Sequence, residues 1–206
     1  MNKNVVDQWV KDCVDRLEKG LLFAAIVSPD RAEITSAISA VESLGKSVAS
    51  SNLIVCDCSI SDEMLRERYF ADAFFGKVVD SVLSQCKMDN CHLPPVGNYL
   101  RFKLLSAKLF NKTGKRCLLV CPNFSECLKA SGERAVNDIC GLFVSIADAG
   151  HKDSDCKDRM NVSYLLGATI PIRDVETHRC CRGESGKFAE STLRSRVRDC
   201  LIGEMA

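Results

Sequence analysis

Cys86, Cys91 and His92 fall together in one loop and are candidate soft metal ligands. A zinc ion would take three donors from this loop and a fourth from Cys180, Cys181 or His178. Structural zinc sites ordinarily use two short Cys/His pairs. Only one loose pair is present, so zinc is not the expected cofactor. A second candidate chemistry is phosphate binding. In "CRGESGKFAEST", residues 181–192, Gly183, Gly186 and Lys187 imitate a loop that wraps phosphates with backbone N–H groups and neutralises them with a lysine. The imitation is incomplete. Cys181 stands at the first glycine position, and Phe188 stands where a hydroxyl would reach a metal ion.

The stretch "VSPDRAEIT", residues 27–35, is better placed, because it joins an apolar run to a helical pattern. It contains neither glycine nor lysine. Asp30 and Glu33 already complement the helix dipole and would repel an added anion. A capped strand-to-helix turn is the expected reading, with Ser28 as the cap and Pro29 at the first helical position. A Cys–His nucleophile needs a low-pKa thiolate beside an imidazole held by a third group. Thirteen cysteines and three histidines show no such local pattern. No serine elbow or paired-carboxylate motif stands out.

These residues must be positioned by elements that hydrophobic periodicity reveals. Trp9, Val10, Cys13, Val14 and Leu17 fall at helical spacing. Leu21–Val27 is a continuous apolar run, too short for a helix, which reads as a strand buried on both faces. A helix follows, striped by Ile34, Ala37, Ile38 and Val41 and stopped at Gly45. Residues 52–58 read as a second strand. Ser61 caps one long helix lined by Met64, Leu65, Phe70, Phe74, Val78, Val82 and Leu83. Pro94, Pro95 and Gly97 mark a loop before a helix over 99–109. Residues 115–121 and 161–172 are the third and fourth strands, separated by a helix over 133–149. The alternation predicts an α/β fold: a mainly parallel sheet of four to five strands with helices on both faces, a three-layer sandwich. Ligands in such sheets bind beyond the strand C-termini. That selects the loops Ser28–Arg31, Cys58–Ser61, Pro122–Ser125 and Thr169–Arg173.

One domain over 1–206 is expected, with 176–206 a basic helical appendage. Basic and acidic residues number 28 and 27, so no global field steers the chain toward nucleic acid or an anionic membrane. No apolar stretch is long enough to span a bilayer, and "MNKNVVDQWVKDCVDRLEKG" lacks a signal-peptide core, so a cytoplasmic location is expected. The scattered cysteines read mostly as reduced, buried thiols.

In order, three segments resemble the AAA+ ATPase core of the sigma-54-dependent transcription activators. "LIVCDCSISDEMLRERYF", residues 53–70, is similar to a family segment, with Cys58 on a family cysteine and Leu65 on a family leucine. "VSYLLGATIPIRDV", 162–175, resembles the sensor 1 strand with its ending at Ala168-Thr169. "GKFAESTLRSRV", 186–197, is similar to a third segment with one residue inserted. The phosphate-loop motif and the metal-binding acid after the third strand are both absent. Ile170 replaces the polar sensor residue, Ala189 stands where the family places its arginine finger, and the sigma-gripping loop is missing. The resemblance therefore implies a P-loop-like fold without catalysis, with a regulatory or adaptor role through a protein partner and possible oligomerisation. One alternative is an ATP-binding protein or ATPase with a non-standard phosphate site drawn from Ser28, Arg31, Thr169, Lys187, Arg194 and Arg196. Another is a zinc- or thiol-based module on Cys86, Cys91 and His92.

Overall fold

Five short strands lie side by side and run in one direction, in the order β2-β3-β4-β1-β5. They are β1 (Phe23–Val27), β2 (Leu53–Asp57), β3 (Arg116–Cys121), β4 (Val162–Ala168) and β5 (Arg198–Leu201). The structure is a computed structural model that describes residues 3–19, 22–48, 53–88, 96–130, 139–147, 161–169 and 198–201. The helices are α1 (Lys3–Lys19), α2 (Arg31–Val48), α3 (Asp62–Arg66), α4 (Phe70–Cys86), α5 (Asn98–Thr113) and α6 (Phe124–Ala130), with further helical residues at 139–147.

β1, β3 and β4 have two buried faces because helices cover both. Successive residues point to opposite sides. In β1, Ala24 and Ile26 face α1 and α2, where they meet Val10, Cys13, Leu17, Ile34, Ala37 and Val41. Phe23, Ala25 and Val27 face the larger core beneath α4, α5, α6 and the helix at 139–147. That core is aromatic. Phe143 packs edge-on against Phe74, Phe124 and Tyr164, and Phe75 stacks on Phe102. Full burial of each such side chain contributes roughly 1.5–3 kcal/mol. The continuous apolar runs are thus a consequence of the three-layer sandwich, and the fold is α/β of the P-loop NTPase-like kind.

Several boundaries differ from those the sequence suggests. Asp30, not Ser28, caps α2: its carboxylate accepts the Ala32 N–H at 2.8 Å, and the helix begins at Arg31, after Pro29. Gly45 does not stop α2, which continues to Val48; a glycine costs about 1 kcal/mol inside a helix and does not by itself break one. The long helix after Ser61 is two helices. Ser61 caps α3 through the Met64 N–H, and Glu67 then turns extended, so that Phe70 enters the core while Tyr69 stays exposed.

Residues 198–201, expected to be helical, instead form β5. It pairs in parallel with β1, Ala24 opposite Arg198 through Val27 opposite Leu201. Without it, β1 would leave a row of backbone donors and acceptors unpaired at the sheet edge. The remainder of the 176–206 segment lies outside the described residues.

Candidate functional site

Three of the loops singled out by the alternation, and Thr169 of the fourth, do converge at the C-terminal edge of the sheet; residues 170–173 lie outside the described residues. The β1–α2 turn is only Ser28, Pro29 and Asp30. Ser28 is buried. Its N–H donates to the Ala168 carbonyl at 3.0 Å, and its hydroxyl donates to Glu33 Oε2 at 2.7 Å while accepting the Asp30 N–H at 3.1 Å. At this helix N-terminus the Asp30 N–H already has a hydroxyl partner and the Ala32 N–H a carboxylate partner, the Asp30 side chain. Arg31 reaches sideways to Glu126 of α6, at 2.8 Å. This pair is largely solvated, and an exposed ion pair contributes at most about 1 kcal/mol.

Beside this turn, the ends of β2, β3 and β4 are bound to one another. Asn123, just past β3, accepts the Ile60 N–H at 3.1 Å and donates to the Ile60 carbonyl at 2.8 Å. Ser125 is buried; its hydroxyl accepts the Thr169 N–H at 2.8 Å and lies 3.3 Å from the Thr169 hydroxyl. Asp57 turns back on Ser59, accepting both its N–H and its hydroxyl, and Lys77 donates to the Ser59 carbonyl. Gly167 lets the β3–α6 turn approach: a Cβ there would collide with the Pro122 carbonyl and lie 2.8 Å from Ile34 Cγ2. Among the described residues, the edge holds Asp30, Glu33, Asp57 and Glu126 against Arg31 and Lys77, an acidic surplus. Replacing Asn123 with alanine is expected to cost about 1–3 kcal/mol, because the Ile60 N–H loses its partner and the Ile60 carbonyl keeps only the weak Cys127 thiol donor. Urea unfolding measures this; a loss below about 0.5 kcal/mol, the level of an ordinary surface substitution, would show that the clasp is idle.

The thiols cluster on the α4–α6 side of β2 and β3. Cys56, Cys58, Cys117 and Cys121 are buried there, with Cys127 of α6 packed against them and Cys86 at the margin. Burial in apolar surroundings disfavours the thiolate. It pushes Cys56 and Cys127 up to about 11 and holds Cys58, Cys117 and Cys121 well above the usual thiol value. Neighbouring thiols and carboxylates add to the shift at Cys58 and Cys121. These groups are neutral, hence weak nucleophiles and weak metal ligands. Cys58 donates to the Cys56 carbonyl and Cys127 to the Ile60 carbonyl.

Ser28, Arg31 and Thr169, proposed from sequence as anion contacts, thus reach one edge, each with an intramolecular partner. Lys187, Arg194 and Arg196 lie outside the described residues, as do Cys91 and His92. Cys86 is described and half-buried. Among the described residues, no group of three His, Cys, Asp or Glu is placed to hold a metal ion, and no helix is long and apolar enough to cross a membrane. Sequence reading missed Asn123, Ser125 and Gly167 as the residues that knit this edge. Asn and Ser directly after a strand are the usual composition of a turn and carry no signal of a distant partner.

No family model and no curated protein matches the chain. Solved structures do. A chain in the structure of Drosophila ORC bound to GC-rich DNA and Cdc6 superposes with a TM-score of 0.57 at 12% identity, covering 96% of this chain and 28% of that one. A chain in Drosophila ORC bound to DNA gives 0.54 at 10%, covering 97% and 29%. One in Drosophila ORC bound to AT-rich DNA and Cdc6 gives 0.51 at 13%, covering 96% and 28%. The chain thus spans under a third of the length of the chains it resembles. At these identities the likeness speaks to architecture, and what it shows is an AAA+-like fold.

Proposed function

We propose that this chain is a catalytically silent AAA+-like domain that works through protein contacts, as a regulatory or adaptor subunit of a larger assembly. The observation that carries the proposal is the β1–α2 turn. Three residues join the strand to the helix, and the Ser28 hydroxyl and Ala32 N–H are already taken by Glu33 and Asp30. A phosphate-binding loop needs a longer glycine-rich backbone and a lysine at this point. Past β3, where phosphoryl-transfer enzymes of this kind place a metal-binding acid, Asn123 holds Ile60 instead. The acidic surplus around the turn adds repulsion toward a triphosphate. A role within an assembly is supported by the likeness to chains in structures of Drosophila ORC bound to DNA and Cdc6. The finer likeness to sigma-54-dependent activators rests on segments 53–70, 162–175 and 186–197.

The test is thermal unfolding with and without millimolar ATP and Mg²⁺. A ligand at a hundred times its Kd stabilises by about 2.7 kcal/mol, an easily measured rise in Tm. The expected outcome is an unchanged Tm and no phosphate release by the purified chain. A reproducible rise of several degrees, or turnover abolished by changing Arg31, overturns the proposal.

A further inference from the structure

One surface outside the sheet edge has a composition that the fold does not require. Between Asp89 and Glu126 the chain has no carboxylate side chain, while Arg101, Lys103, Lys108, Lys112, Lys115 and Arg116 fall in the same stretch. Most of this stretch is α5, which starts beside the first turns of α4, where Asn98 hydrogen-bonds Asp72. α5 buries Phe102, Leu105 and Leu109 in the core. Away from those residues, Leu100, Leu104, Lys108 and Lys112 follow one another at four-residue spacing and form a single ridge. The ridge has two halves. Leu100 is 42% exposed, and Val96, just before the helix, is 38% exposed. These are two of only three exposed large apolar side chains among the described residues. The C-terminal half is cationic, and neither Lys108 nor Lys112 takes part in an ion pair among the described residues.

We infer that the α5 ridge is a docking surface for an acidic amphipathic helix of a partner protein. The inference rests on the protein-contact role proposed above and names the surface that serves it. The occupant follows from complementarity. Its apolar residues cover Val96, Leu100 and Leu104, and its carboxylates, one or two turns further along, meet Lys108 and Lys112. A nucleic-acid backbone would match the lysines but place phosphates over two leucines and a valine, with nothing apolar to cover them. An anionic bilayer would need an apolar stripe along the whole helix, and here it ends at Leu104.

The probe is a fluorescein-labelled synthetic helix of about five turns, with leucines in its first half and glutamates in its second. Fluorescence anisotropy with the full chain is expected to saturate in the micromolar range at moderate salt and to weaken as salt rises. The Lys108→Glu/Lys112→Glu variant is expected to bind at least about tenfold more weakly with an unchanged Tm, since both side chains reach solvent. Leu100→Ser is expected to weaken binding as well. Absence of saturation overturns the inference. So does equal affinity for a peptide with glutamine in place of glutamate, or equal competition by a single-stranded oligonucleotide or phosphatidylserine vesicles. Failure here with an unchanged Tm in ATP–Mg²⁺ removes only the α5 surface; a Tm rise in ATP–Mg²⁺ removes the underlying role.

Discussion

Gly167→Ala is expected to destabilise the protein by about 3 kcal/mol or more, near the upper end of the usual range for overpacking. The added Cβ would run into the Pro122 carbonyl oxygen and crowd Ile34 Cγ2. Gly167 sits in the central strand β4, opposite Ile26 of β1, with β3 paired on the other side, so β4 has little freedom to withdraw. Moving the Pro122 turn instead would disturb Asn123 and Ser125, and through them the Ile60 and Thr169 contacts. Urea unfolding of both proteins gives the difference directly. Ile34→Ala is destabilising by itself, because Ile34 is buried. In a double-mutant cycle the combined loss should be smaller than the sum of the two single losses, because one of the two obstacles is removed while the carbonyl obstacle stays. A Gly167→Ala protein within about 0.5 kcal/mol of the parent would mean that the β3–α6 turn does not press on β4.

The second large effect is alkaline. The buried thiols are expected to add no pH dependence to stability near neutral pH and to make it fall steeply above about pH 9. The sign follows from proton counting. A thiol becomes charged when it loses its proton, and burial raises Cys56 from the usual 9.0 to about 11, with Cys58, Cys117 and Cys121 raised well above 9.0. Above pH 9 the unfolded chain releases protons that the folded chain retains, so the unfolding free energy declines with pH. Each such thiol adds roughly 1 kcal/mol per pH unit to the decline. For Cys56 the contribution ends near pH 11, where its folded form ionises too. Lysines and tyrosines also titrate in this range, so the discriminating measurement uses a Cys58→Ala/Cys117→Ala/Cys121→Ala variant. Its stability should fall less steeply with pH than that of the parent. An identical slope would show that Cys58, Cys117 and Cys121 are not the source.

These thiols show how sequence and structure divide the information. Cysteines inside apolar runs, such as Cys56, Cys117 and Cys121, could be read as small buried hydrophobes without any coordinates, because their neighbours fix their environment. Their gathering on one side of β2 and β3 could not, because it depends on which strands are adjacent. The same division holds at the candidate site. Asp30 and Glu33 could be seen beforehand as occupants of the α2 N-terminus, since both lie within one turn of it. Asn123 meets Ile60 across 63 residues, and Ser125 meets Thr169 across 44. Neither contact has any local pattern.

The sequence by itself determined the class of the fold: continuous apolar runs alternating with amphipathic stripes admit few arrangements other than a parallel sheet between helical layers. It also determined the absence of glycine and lysine from the β1–α2 turn. Only the tertiary structure decided that β4 is inserted between β1 and β3 and that residues 198–201 close the free edge of β1. Periodicity is a property of nearest neighbours along the chain and survives in a single sequence. Strand order is set by which distant edges bury the most surface together, a choice that no local stretch records.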